Sequence, residues 1–195
     1  TTEIIYRKYA PYAERIAGAR EGQQRHLQRF YAEASAKSYI CSIIIPVWNC
    51  LELTRDCLMA LSQIKDQPEY EVIVVDNGST DGTKEFLAEL NGDVQIIRNK
   101  KNEGFAKACN QGARAARGQY VVFLNNDTIP QSGWLSSLVS EVDAHPEVGI
   151  VGSKLLYPDG TVQHAGVVRD LEHRLPYHIY KSFAGDHPVV NQRRE

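Results

Sequence analysis

Cys41-Ser42-Ile43-Ile44-Ile45-Pro46-Val47 and Glu71-Val72-Ile73-Val74-Val75-Asp76 are the stretches whose reading decides the fold. Both are short, rich in Ile and Val, and apolar at odd and even positions alike. A strand with one wet face alternates apolar and polar residues, whereas a run apolar on both faces suits a parallel sheet covered by helices on each side. Three more such runs lie further along, at 94–98 (VQIIR), 119–124 (QYVVFL) and 148–151 (VGIV). Helical spacing between the runs predicts helices over about 51–65, 81–90, 104–117 and 131–145. Ser79-Thr80-Asp81 has N-cap chemistry, and Gly118 fits a helix exit. The alternation predicts an α/β fold with an open, mostly parallel, doubly wound sheet and helices on both faces.

Upstream, residues 1–38 carry no strand-like run. Ile5, Tyr9, Tyr12, Ile16, Ala19, Leu27, Phe30 and Ala34 recur at threes and fours with one longer gap, and Pro11, Gly18 and Gly22 interrupt them. This predicts an N-terminal helical arm over 1–38, in pieces, ahead of a domain over 39–195. Basic residues outnumber acidic ones in the arm, 7 against 4. It reads either as a tether or docking arm for a protein partner, or as a helix packed on the back of the domain. Thr1 stands where a start methionine would, and the closing residues 191–195 hold no helix stop, so an excised piece of a longer protein is expected.

The whole chain has 195 residues, 43% hydrophobic and 24% charged, with a net charge of −2. That balance is globular, and it provides no global field for nucleic acid or an anionic membrane. No apolar run is long enough to span a bilayer and no export signal opens the chain, so the expected location is cytoplasmic, or at the inner face of the membrane. Cys41, Cys50, Cys57 and Cys109 form no C-x-x-C pair and read as reduced thiols.

Open parallel sheets bind ligands outside the carboxyl ends of their strands. After the first run come Trp48 and Asn49, and after the second Asp76, Asn77, Gly78, Ser79, Thr80 and Asp81. Asn99, Lys100, Lys101, Asn102 and Gly104 follow the third, and Asn125, Asn126 and Asp127 the fourth. Amides, carboxylates, glycines and one aromatic suit a nucleotide better than a lipid or a peptide. There is no G-x-x-x-x-G-K-[ST] loop, and no G-x-G-x-x-G follows the first strand, which excludes a P-loop and argues against ordinary dinucleotide binding. A held phosphate then needs another counter-charge, and a divalent cation on Asp127, Mg²⁺ or Mn²⁺, is the economical one.

Ser-Ile-Ile-Ile-Pro-Val-Trp-Asn (42–49) and Val-Ile-Val-Val-Asp-Asn-Gly-Ser-Thr-Asp-Gly-Thr (72–83) together resemble the opening of a family 2 glycosyltransferase of the GT-A fold. N-x-G-F-A-x-A-x-N-x-G (102–112) and G-x-Y-V-V-F-L-N-N-D (118–127) continue that resemblance in order. The N-N-D-T form resembles the branch holding many bacterial rhamnosyltransferases and related polysaccharide-building enzymes. The resemblance implies that Trp48 stacks on the donor's base, with Pro46 and Val47 offering backbone contacts; packing at a strand end is the alternative for Trp48. Asp76 and Asn77 match the family's paired acidic position that reads a pyrimidine, Asn77 replacing the commoner second Asp; a turn before the next helix is the alternative. Asn125, Asn126 and Asp127 match the D-x-D motif, with Asn125 in place of its first carboxylate and Asp127 as the metal ligand. Gly104 and Lys107 fall where the family's chain passes the ribose and diphosphate. Arg98, Lys100 and Lys101 form a small basic patch at the same edge. His164 reads as structural or as lining the site's edge.

The family's chemistry implies transfer of a sugar from a UDP- or dTDP-sugar donor to a saccharide or lipid-linked saccharide acceptor, with inversion. Its general base comes from a segment beyond the region matched here, so the chain is expected to be mainly the donor-binding portion. Asp159, Asp170 and Asp186 recommend themselves only as carboxylates. The competing class is a nucleotide-binding or interaction module that catalyses no transfer. A sugar-nucleotide nucleotidyltransferase would want a Gly-rich, basic loop after the first strand, which is absent.

Overall fold

The computed structural model describes residues 3–6, 39–65, 67–90, 94–169 and 176–192. The chain divides into two compact units, Pro11–Thr128 and Thr1–Ala10 with Ile129–Glu195. The predicted helical arm lies, from 7 to 38, outside the described residues. Ahead of it the reading needs correction, because Glu3–Tyr6 is a strand, β1. Four residues with a parallel partner, Lys154–Leu156 of β7, suffice for a strand, and that partner is over a hundred positions away and invisible to local spacing.

Within Pro11–Thr128 the sheet has the order β4-β3-β2-β5, built from Cys41–Val47 (β2), Tyr70–Asp76 (β3), Val94–Arg98 (β4) and Tyr120–Phe123 (β5). All three pairings are parallel. Helices Leu51–Gln63 (α1), Thr83–Ala88 (α2) and Phe105–Ala115 (α3) connect the strands. The chain steps outward from β2 to β3 to β4, then returns past both to place β5 beside β2. Right-handed crossovers in opposite directions put α1 and α2 on one face and α3 on the other. Every residue of β2 is buried, as a strand covered on both faces requires.

Ile44, Ile73 and Val75 form a core cluster with Ala108 of α3. The approach is close: a Cβ on Gly112 would lie 2.4 Å from Ile44 Cγ2, so only glycine lets this helix turn sit on β2. At the amino edge Glu71, 1% exposed, accepts from the Ser42 hydroxyl (2.6 Å), the Arg117 backbone N–H (2.7 Å) and the Arg117 guanidinium (2.8 and 2.7 Å). Burial pushes the Glu71 carboxyl up, but those donors and the charge of Arg117 outweigh it and hold it below the usual carboxylate range.

The other unit carries a four-stranded sheet in the order β6-β1-β7-β8, with Thr128–Pro130 (β6), Lys154–Leu156 (β7) and Val162–His164 (β8). A separate antiparallel pair joins Val167–Arg169 (β9) and Pro176–His178 (β10). Helix Trp134–Ala144 (α4) follows β6. The strand expected at 148–151 does not form, and Ile150 is 92% exposed. Val148 instead gives its N–H to the His145 carbonyl (2.9 Å) in the turn that ends α4. The strand forms further on, at β7, where backbone partners exist on both sides.

Candidate functional site

The strand order reverses between β2 and β5, and it is outside the carboxyl ends of such neighbours that open parallel sheets bind ligands. Register aligns what lies there. Val47 stands opposite Asp76, and Asp76 opposite Arg98, in one row across the edge. β5 stops at Phe123, opposite Ile44, so Leu124–Asp127 runs beside the last residues of β2 toward the same edge.

Trp48 leaves the end of β2 with 56% of its surface exposed. Behind it Asn49 and Cys50 both take left-handed backbone angles (φ 57° and 60°), a conformation that costs a non-glycine residue roughly 1 kcal/mol or more. Three cross-loop bonds hold it: Asn49 N–H to Ser79 Oγ (2.8 Å), Thr80 N–H to Asn49 Oδ1 (2.8 Å) and Leu51 N–H to Asp81 Oδ2 (2.9 Å). Asp81 also accepts from the Thr83 hydroxyl (2.6 Å) and N–H (3.2 Å), so it braces the starts of α1 and α2 together. Burial pushes its carboxyl up, and these donors overcome that and hold it low.

Asp76 is 1% exposed. Its Oδ1 accepts from the Ser79 N–H (2.8 Å), and its Oδ2 is paired with the Arg98 guanidinium, which also donates to the Ser79 carbonyl (3.0 Å). Asn77 gives its backbone N–H to the Val47 carbonyl (2.7 Å), and Pro46 is buried behind. The side chain of Asn77 is spent inside the protein: Nδ2 donates to Asn102 Oδ1 (2.9 Å) and the Gly104 carbonyl (3.3 Å), and Oδ1 accepts from Asn99 Nδ2 and Glu103 N–H (both 3.0 Å). Asn99 and Gln111 exchange two amide bonds (2.8 and 2.9 Å). One amide network therefore sets the course of the segment 99–104.

That segment crosses close over Gly78, where a Cβ would meet the Lys101 backbone at 2.7 Å. It ends at Gly104, whose φ of 89° and ψ of 156° only glycine adopts freely, and a Cβ there would meet nothing within 4 Å. Lys107, one turn into α3, is exposed and ion-paired with Glu103 (2.7 Å).

The Asn125–Asp127 turn is held from two sides. The Asn125 carbonyl accepts from the Thr128 hydroxyl (2.7 Å), the Thr128 N–H (3.3 Å) and the Cys57 thiol (3.8 Å). Asn126 Nδ2 donates to Thr54 Oγ1 (3.0 Å). Asn125 is exposed, and Asn126 and Asp127 are half-buried. Burial, with the charges of Asp127 and Asp56, pushes the Cys57 thiol up to about 12 against the hydrogen bond of Thr128. It stays a thiol at neutral pH, so no soft thiolate competes beside Asp127.

The structure thus gathers Pro46, Val47, Trp48, Asp76, Asn77, Gly104, Lys107, Asn125, Asn126 and Asp127 within one unit, at one edge of one sheet. Thr54 and Cys57 on α1, and Gln111 of the amide network, escape the sequence reading, which placed Asn99 and Asn102 at this edge without their partners. Their only signal there is position beside the motifs. His164 belongs to the other unit, with its Nδ1 2.7 Å from His178 Nδ1. Burial and then the neighbouring His178 charge hold its pKa below the usual histidine value. Asp159 is committed to a turn, accepting from the Thr161 hydroxyl (2.7 Å) and N–H (2.9 Å). Asp170 lies outside the described residues.

Residues 42–189 match the sequence model described as Glycosyl transferase family 2. The chain is 39% identical over 130 residues to an O-antigen biosynthesis protein, RfbC, of Myxococcus xanthus, covering 65% of this chain and 10% of that protein. It is 37% identical over 125 residues to the glycosyltransferase AglE of Haloferax volcanii, covering 61% of this chain and 41% of AglE. Both relatives are far longer than the part matched. In fold it is similar to a mannosyltransferase of Pyrobaculum calidifontis solved with GDP-Man and Mn²⁺, with a TM-score of 0.51 and 24% identity over 68% of this chain and 42% of that one.

Proposed function

The chain belongs to glycosyl transferase family 2, and from that premise we propose that it is the donor-binding portion of an inverting glycosyltransferase. The donor is a UDP- or dTDP-sugar, and the acceptor a hydroxyl of a saccharide or lipid-linked saccharide in polysaccharide building. The rhamnosyltransferase-like branch is the setting in which we place it, at the cytoplasm or the inner face of the membrane. The observation that carries the reading is the convergence at the carboxyl edge of β3, β2 and β5 of an exposed aromatic, a buried carboxylate and the Asn125–Asp127 turn.

The geometry at this edge supports the following roles. Trp48 offers an exposed ring on which a base can stack. Asp76 would accept from the pyrimidine N3–H; because it is buried behind Arg98, base contact requires that guanidinium to swing aside. The amide that the family resemblance assigned to base reading at Asn77 acts here by holding the segment 99–104, which presents Gly104 to the ribose and diphosphate. Lys107 would release Glu103 to meet a phosphate.

The donor set fits Mg²⁺ or Mn²⁺: a half-buried carboxylate on Asp127, amide oxygens at Asn125 and Asn126, and a neighbouring sulfur that stays protonated. Among the described residues no three His, Cys, Asp or Glu side chains cluster, so donor phosphate oxygens and water would complete the shell. Such an ion, when bound, neutralises charge developing on the leaving diphosphate. In the transfer the acceptor oxygen bonds to the anomeric carbon from the face opposite the diphosphate, the sugar–phosphate C–O bond breaks with its electrons leaving on the nucleoside diphosphate, and the acceptor proton passes to a general base. We place that base on a segment outside this chain.

Asp127→Ala is expected to abolish the Mn²⁺-dependent part of UDP binding while leaving the urea midpoint nearly unchanged. Binding that stays equally Mn²⁺-dependent removes Asp127 from the ligand role.

A further inference from the structure

Resting on that reading of the site, we infer that Thr54 and Cys57 of α1 are positioning residues for the Asn125–Asp127 turn, and that Thr54 sets the strength of its cation site through Asn126. Neither residue stands in the four motifs that mark the edge, and the two lie three apart, on one side of a helix. Both are buried and both reach across to the turn that follows β5.

The chemistry at Thr54 is directional. Its hydroxyl gives its proton to the Cys50 carbonyl one turn back (3.4 Å), which leaves Oγ1 as an acceptor toward Asn126. An amide presenting its oxygen there would set two acceptors against each other. Asn126 accordingly donates from Nδ2 to Thr54 Oγ1, at 3.0 Å. Cys57 supplies the second tie, a thiol donor to the Asn125 carbonyl, which Thr128 also engages. Helix α1 thus ties the backbone at Asn125 and the amide of Asn126, the two residues immediately ahead of the proposed ligand Asp127. Groups that orient a metal's ligands without touching the metal typically change affinity by ~10–100-fold when removed. The same helix begins at the strained Asn49–Cys50 pair beside Trp48, so Trp48 and the Asn125–Asp127 turn adjoin one element.

The test compares Thr54→Val, which keeps the shape and removes the hydroxyl, with Thr54→Ser, which keeps the hydroxyl. Thr54→Ala replaces the valine variant should that not fold. UDP binding to the full chain is titrated against Mn²⁺, and the urea midpoint is measured for each protein. Loss of the hydroxyl is expected to raise the half-saturating Mn²⁺ concentration by about tenfold or more, with the serine variant staying close to wild type. Three results overturn the inference. An unchanged Mn²⁺ dependence in the valine and alanine variants would show that the hydroxyl positions nothing. Equal loss in the serine and valine or alanine variants, tracking the urea midpoint, would make Thr54 a packing residue only. A wild type without Mn²⁺ dependence, in which Asp127→Ala is also silent, would take down the reading of the site itself and the inference with it.

Discussion

The Asn77 side chain gives two hydrogen bonds and takes two, all with the segment 99–104, and the residue is 4% exposed. That arrangement needs an amide. A carboxylate in its place would face the Asn102 Oδ1 and the Gly104 carbonyl with oxygen against oxygen. Asn77→Asp, a step toward the commoner family form, is therefore expected to lower stability by about 1–3 kcal/mol in urea unfolding; a variant as stable as wild type would show that the network is not structural. That polar residues crowd this edge was legible from their places after apolar runs. Which of them touch each other was not, because a side chain's partners across loops depend on register. Asn77 bonds residues 22 to 27 positions away, and Asn126 bonds Thr54 72 positions away.

At the scale of elements, β2 and β3 are read correctly from sequence because burial on both faces leaves its mark on every residue. The run at 148–151 is similarly rich in Val and Ile, apart from Gly149, and forms no strand. Composition reports a preference for burial, whereas a strand also needs a neighbour with free backbone groups. The short β1, with its partner far along the chain, fails for the complementary reason. The pairing of β2 and β3 is clamped at its amino edge by Glu71, whose folded pKa lies below its ordinary value of 4.5. A depressed carboxyl contributes stability that is present above its unfolded pKa and lost as pH falls through the folded one. Urea stability is thus expected to decline as pH drops below about 4.5, and Glu71→Gln is expected to cost about 1–3 kcal/mol at pH 7 and to flatten that decline. The exposed Arg117 is screened by solvent, so the lower half of that range is the expected outcome. An unaltered pH profile in the variant would contradict the clamp.

For the whole molecule, the family and fold class were legible because four motifs in order encode one sheet edge. The extent of the functional protein was not, since the chain matches only 10% of RfbC and 41% of AglE. A net charge of −2 brings no general attraction for a diphosphate, so the proposed donor binding would rest on local groups and the proposed cation. The most direct measurement is calorimetric titration of UDP and dTDP into the chain with and without Mn²⁺, with GDP and ADP alongside. The expected result is binding of the pyrimidine diphosphates that strengthens with Mn²⁺, with the purine nucleotides excluded. Purine nucleotides binding as tightly, or pyrimidine diphosphates binding equally with and without Mn²⁺, would contradict a donor site built from Trp48, Asp76 and Asp127.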